Sequence, residues 1–249
     1  MESLTRTQRL VVLLATLAGV TLTANLGAWQ LRRADEKLSR QAALDQRARL
    51  PELSGSTLAR TEDEAAVQHH RRVRLRGQWL HPFTVYLDNR QMNGVPGFFV
   101  VTPLQPTDSA QAVLVQRGWV PRNWQNRTQL PALAAPAGEV EVAGHIAPPP
   151  ARLYEFPGAA SGVIRQNLEL TAFMRETGLR LAPLSVLQDP PAGGSAASAA
   201  DGLAREWPRP AVDVQKHYGY AFQWFALGAL MAGLYVWFQL VRPRLRRSA

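Results

Sequence analysis

The sequence predicts a membrane protein of α+β class, with two transmembrane helices flanking a periplasmic, antiparallel β-rich domain (a sheet or small barrel) and short helices. Three observations carry that prediction. Between Tyr218 and Val241 there is no charged residue, and aromatics gather at both ends of the stretch. From Leu10 to Ala28 a second uncharged run holds one strongly polar residue, Asn25. Between the two runs, apolar and polar residues alternate over short segments, the period of half-buried strands.

The C-terminal run is about 36 Å long as a helix, enough to cross a hydrocarbon core of roughly 30 Å with some tilt. Tyr218, Tyr220, Phe222, Trp224 and Phe225 crowd one end, and Tyr235, Trp237 and Phe238 the other. Rings distributed in this way suit the two headgroup levels. Arg242, Arg244, Arg246 and Arg247 then close the chain, an ending that a buried helix of a soluble enzyme would seldom have. The N-terminal run gives about 28 Å of helix, just enough to span. A cleaved signal peptide is the competing reading, but the run is longer than a usual signal core and no A-x-A site closes it.

Two spans place both termini on one side, and the arginine tail assigns that side to the cytoplasm. The expected organisation is a tail at 1–9, a span at 10–31, a periplasmic domain at 32–216, a span at 217–241 and a basic tail at 242–249. Arg32, Arg33, Lys37 and Arg40 put positive charge on the outer flank. Long loops cross largely regardless of charge, so the tail decides.

The net charge of +9 is not evenly spread. Residues 50–216 carry sixteen Lys/Arg against fifteen Asp/Glu, so the excess sits beside the membrane segments, where anionic headgroups reward it. No basic stripe with interleaved aromatics remains for nucleic acid. With no cysteine in the chain, disulfides, thiolate metal sites and covalent thiol chemistry are excluded. A domain of this size can bury a core without such staples.

Taken in order, Trp29 to Ala48 continues as an amphipathic helix through Leu31, Ala34, Leu38 and Ala42, and Pro51 and Gly55 end it. Val73, Leu75, Gly77 and Trp79 alternate with Arg72, Arg74, Arg76 and Gln78 as a strand. Val85–Leu87 is a short second strand, followed by a turn-rich connection from Asp88 to Gly97. Phe98–Thr102, Val113–Trp119 and Glu139–Ile146 are further strands. Leu168–Thr177 reads as a short helix, Leu181–Leu187 as a last strand, and 190–202, rich in Ala, Gly, Ser and Pro, as a mobile loop.

Catalytic signatures are missing: there is no G-x-S-x-G, H-E-x-x-H or G-x-x-x-x-G-K. His69-His70 reads as a solvated loop in preference to a metal site, because adjacent residues point different ways. His81 and His145 are ordinary polar residues on this reading. Glu139 and Glu141 share a strand face that meets water, with nothing else to support acid–base work. The informative cluster is the outer end of the first helix, with Trp29, Gln30 and Arg33, set against the start of the second. There His217, Ala221 and Trp224 share a face with Tyr220 at i, i+4, i+7. An imidazole at the lip of a bilayer, flanked by aromatics, suits a large flat apolar ligand. An interfacial belt, with His217 meeting water and headgroups, is the alternative.

Several stretches together resemble the Surfeit locus protein 1 family, membrane factors for cytochrome c oxidase assembly. They are Leu26-Gly27-x-Trp29-Gln30-Leu31-x-Arg33 with Lys37; Asp88-Asn89-Arg90; Gly94-x-Pro96-Gly97; Thr102-Pro103-Leu104; Val113 to Pro121; and His217-x-x-Tyr220-Ala221-x-Gln223-Trp224-Phe225. Tyr218 departs from the leucine usual in that family. The resemblance implies a non-enzymatic role in delivering or inserting haem A into oxidase subunit I, with haem A synthase a further candidate partner. It makes His217 the haem-contacting residue and axial iron ligand, with Tyr220, Ala221, Trp224, Trp29 and Gln30 around it, and Arg33 or Lys216 toward a propionate. It also implies a bacterial inner membrane, since the nine residues before the first span are too short for a mitochondrial presequence. A membrane-anchored periplasmic scaffold without haem is the alternative function, and a tethered enzyme with an unrecognised site is a third.

Overall fold

The computed structural model describes residues 5–126, 129–131, 133, 136, 138–153, 162–191, 201–207 and 213–245. The chain divides into two compact units, Met1–Ala43 with Pro210–Ala249, and Leu44–Arg209. In chain order the helices are α1 (Arg6–Ala48), α2 (Glu62–Gln68), α3 (Leu170–Thr177), α4 (Gln215–Tyr235) and α5 (Arg242–Leu245). The strands are β1 (Arg72–Trp79), β2 (Val85–Met92), β3 (Val95–Pro106), β4 (Ala112–Pro121), β5 (Glu139–Ala147), β6 (Ile164–Arg165) and β7 (Leu181–Gln188).

The second unit is a strand ring with a two-strand extension. β1 pairs with β5, β5 with β7, β7 with β4 and β4 with β3. β3 then returns to β1, where Gly77–Trp79 faces Leu104–Pro106, and the five strands close on themselves. Gly77 permits that crossing: a Cβ there would run into the Gln105 carbonyl. β2 pairs with the other half of β3, and β6 lies beyond β2.

The expected antiparallel domain is in fact mixed, for β4–β7 and β2–β6 are parallel pairs. Local alternation carries no strand direction. β7 reaches β4 through a long connection that includes β5, β6 and α3, not a hairpin, so its direction is free. The segment Asp88–Gly97 also differs from expectation. Only Asn93-Gly94 is a turn, with φ of 51° and 78°, the geometry of a two-residue hairpin. The rest belongs to β2 and β3, with a register shift between Leu87 and Arg90.

β1 shows the predicted alternation, burying Val73, Leu75, Gly77 and Trp79. Its outward arginines meet acids: Arg74 bonds Glu52 at 3.0 Å and Glu141 at 2.6 Å, and Arg76 reaches Glu141 at 3.2 Å. Glu141 is therefore a cross-strand partner. β4 is buried from Ala112 to Val120, on both faces. Val113 and Val115 join the core formed by Leu75, Leu104, Val142, Ile146 and Leu184, while Leu114 packs with Leu87, Val101 and Phe173. The polar Gln116 on this strand is satisfied by Ser185 at 2.9 Å, and Ser185 by the Pro148 carbonyl at 2.6 Å.

Two short helices flank the strands. Thr61 caps α2 with a reciprocal Glu64 bond. In α3 the Glu169 carboxylate accepts from the Thr171 and Ala172 amides, and Gly178 at φ 71° closes the last turn. Most of the expected loop lies at 192–200, outside the described residues.

In the first unit, α1 runs unbroken through the apolar stretch and the amphipathic one after it. α4 passes into a π-helical turn at Val236–Val241 and then α5. Arg6–Ala48 and Gln215–Leu245 are long and apolar enough to cross a bilayer. Only 11% and 6% of their apolar windows is buried within the protein, so neither serves as the core helix of a soluble fold. Polar groups inside the first run bond their own helix: Asn25 donates to the Thr21 carbonyl at 2.8 Å, and Thr23 to that of Gly19 at 2.9 Å.

Candidate functional site

Small residues let α1 and α4 meet. Thr23, Gly27 and Ala34 are the buried positions of α1, and Ala221 and Gly228 those of α4. A Cβ on Gly27 would lie 2.7 Å from the Phe225 ring, and one on Gly228 would lie 2.8 Å from Thr23 Oγ1. In a bilayer, where lipid tails are as apolar as leucine, such close approach is a principal source of helix association. The spacing of Gly19, Thr23 and Gly27, four residues apart, is the signal that the sequence offers for this seam.

Where α4 begins, His217 touches Gln30, which lies midway along α1. His217 Nδ1 lies 2.7 Å from Gln30 Oε1. An amide oxygen only accepts, so Nδ1 is the donor in this contact and Nε2 is the nitrogen left outside it. The ring is half-buried and tied to both helices. Ala221, one turn further on, is 2% exposed. Trp224 is half-buried on the same face. The remaining predicted residues lie elsewhere: Trp29 and Tyr220 are 51% and 52% exposed, away from the seam. Arg33 is exposed and paired with Glu36 at 2.6 Å. Lys216 pairs with Asp213 at 2.8 Å, a partner the sequence reading did not name. The hydrogen bond and charge of Lys216 hold Asp213 below the usual carboxylate range.

In the domain, Arg117-Gly118-Trp119 has a specific task. The β3–β4 register jumps so that Val100 faces Gly118 and Val101 faces Gln116, leaving Arg117 as the extra residue of a bulge. Its guanidinium is buried 4.8 Å from the Trp79 ring centroid. Burial lowers the Arg117 pKa, partly offset by Asp201. Trp119 exchanges two backbone bonds with Ala204, at 2.7 and 2.9 Å, and its indole donates to the Arg90 carbonyl at 2.9 Å. Arg205 clamps Asp201 within the same segment. Burial alone would push Asp201 up, but the Arg205 bond and the charges of Arg205 and Arg117 hold it low. The triplet thus fastens residues 201–207 to the sheet.

His69 caps the C-terminus of α2, and His70 adopts φ 69° with its amide donating to the Ile146 carbonyl at 2.8 Å. Desolvation, chiefly, lowers both pKa values, with Arg47 adding to it. His145 bonds Asp189 at 2.8 Å. Among the described residues no group of three or more His, Cys, Asp or Glu could hold a metal ion.

A β-rich domain whose chain enters and leaves through apolar helices, with an imidazole–amide contact between the two helices, defines an anchored-domain class of protein. The SURF1 family profile matches residues 17–229, and the chain belongs to that family. Surfeit locus protein 1 of Arabidopsis thaliana is 34% identical over 117 residues, 43% of this chain and 33% of that protein. Cytochrome oxidase assembly protein SHY1 of Saccharomyces cerevisiae is 32% identical over 95 residues, 38% of this chain and 24% of that protein. A SURF1-like protein of Drosophila melanogaster is 27% identical over 241 residues, 90% of this chain and 75% of its own length. The chain thus spans a third or less of the first two relatives.

Proposed function

We propose that this protein is a non-enzymatic biogenesis factor for cytochrome c oxidase that holds haem A where the start of α4 meets α1 and passes it to subunit I. The two apolar helices anchor it in a bacterial inner membrane, with the domain in the periplasm. Family membership supports the assembly role, as does the name of the yeast relative. The observation that carries the haem reading is the His217–Gln30 bond. It turns Nδ1 toward the amide and leaves Nε2 as the nitrogen on offer to haem iron, which neutral imidazole commonly ligates. Haem is the cargo here, and the chain's residues bind and orient it. His217 supplies the axial nitrogen, Trp224 and Ala221 offer apolar surface, and Lys216 or Arg33 meets a propionate by exchanging its present carboxylate partner.

A strain lacking the gene tests the role. It assembles less oxidase, and what it assembles has haem-poor subunit I, because unassisted insertion is slow. Normal oxidase content with full haem A occupancy contradicts the proposal. A drop in oxidase with normal occupancy of the remainder favours a haem-free scaffold.

A further inference from the structure

We propose that Gln30 is a positioning residue that sets the tautomer, the orientation and the strength of His217 as an iron ligand, and that an amide stands there because the ligand has to be released. The inference rests on the haem reading above and concerns how that site is tuned. An imidazole rotates readily about its terminal torsion, which has broad, roughly two-fold preferences. The 2.7 Å bond to Gln30 Oε1 removes that freedom, because a flipped ring would set a carbon against the oxygen. It also decides which nitrogen can bind metal: Nδ1 donates to α1, and Nε2 is presented on the side away from it.

The partner's chemistry sets the grip. Metal-bound histidines almost always donate their second N–H to a carboxylate, a carbonyl or water, and the acceptor raises ligand basicity. A carboxylate pulls hardest on that proton and makes the imidazole a stronger donor to iron. Gln30 offers the weaker, neutral acceptor. Three carboxylates lie close along the chain, Asp35 and Glu36 on α1 and Asp213 before α4; Glu36 pairs with Arg33 and Asp213 with Lys216. Glu36 and Asp213 therefore balance cations, and the imidazole is paired with an amide. The bond also joins the start of α4 to the middle of α1, so helix separation and loss of ligand orientation coincide.

The full-length protein, purified in detergent after co-expression with haem A synthesis, is compared with Gln30→Leu, Gln30→Glu and His217→Ala. The readouts are haem transfer to excess apomyoglobin, the iron–histidine stretch in resonance Raman spectra and the haem midpoint potential. Gln30→Leu loses haem about 10–100-fold faster, the usual penalty for removing an outer-shell partner. Gln30→Glu loses it more slowly, with a raised iron–histidine frequency and a lowered potential, which a merely structural role of Gln30 would not produce. Should Gln30→Leu fail to assemble, Gln30→Glu alone decides. Unchanged transfer rate, frequency and potential in Gln30→Glu, with haem lost in His217→Ala, overturns the positioning role. Haem retained unchanged in His217→Ala overturns instead the reading on which the inference stands.

Discussion

At the scale of single residues, Arg117, Gly118 and Trp119 show how three neighbours divide one structural task. Arg117 takes the bulge and stacks on Trp79, Trp119 pairs with Ala204, and Gly118 lies flat against the segment that they hold. A Cβ on Gly118 would lie 2.7 Å from Leu203 Cβ and 2.9 Å from the Ala204 carbonyl, neither of which can swing aside as a flexible tip could. Gly118→Ala is therefore expected to destabilise the protein by about 1–3 kcal/mol, the usual penalty for overpacking. Chemical denaturation followed by tryptophan fluorescence reads the change, and an unaltered midpoint contradicts the clamp. The sequence shows that Trp119 ends a strand and packs. It does not show what Trp119 packs against, since Ala204 and Arg90 are distant along the chain.

At the scale of elements, legibility follows exposure. β1 has one face in water, so alternation marks its bounds from Arg72 to Trp79. β4, buried on both faces, shows only as an apolar run, and β6, two residues long, leaves no pattern at all. α2 escapes the periodicity reading because seven residues barely make two turns, although Thr61-x-x-Glu64 spells its capping box. Strand direction is absent from any local pattern, which is why the mixed sheet was not foreseeable where an antiparallel one was expected. The helix pair makes the clearest prediction at this scale. A Cβ on Gly228 would lie 3.8 Å from that of Thr23, close to the mean separation across a disulfide. Because the chain has no cysteine of its own, a Thr23→Cys, Gly228→Cys protein should lose both thiols to maleimide labelling after mild oxidation, and adding Gly27→Leu should restore them. Two labelled thiols in the parent pair would show that the helices do not meet there.

At the scale of the whole molecule, a β-rich domain is joined to two apolar helices, and His217 at the start of α4 meets Gln30 midway along α1. The orientation proposed for it rests on the basic tail, Arg242 to Arg247. Alkaline phosphatase fused after Ala200 is expected to be active and fused after Ala249 inactive, and the reverse pattern would put the site on the other side of the membrane. The candidate site was partly legible in the sequence. Apolar length and helical spacing bring His217, Ala221 and Trp224 to one face, but how α1 turns against α4 is set by packing. That packing pairs Gln30 with the imidazole and leaves Trp29 and Tyr220 largely exposed. Whether His217 holds haem is read from one comparison. His217→Ala and the unmodified protein, purified at equal expression from cells that make haem A, are compared by Soret absorbance and haem-to-protein ratio. The account predicts a haem-bearing parent and a variant with most of its haem lost. Equal spectra and equal stoichiometry would remove His217 from the site and leave only a belt of aromatic rings at the membrane surface.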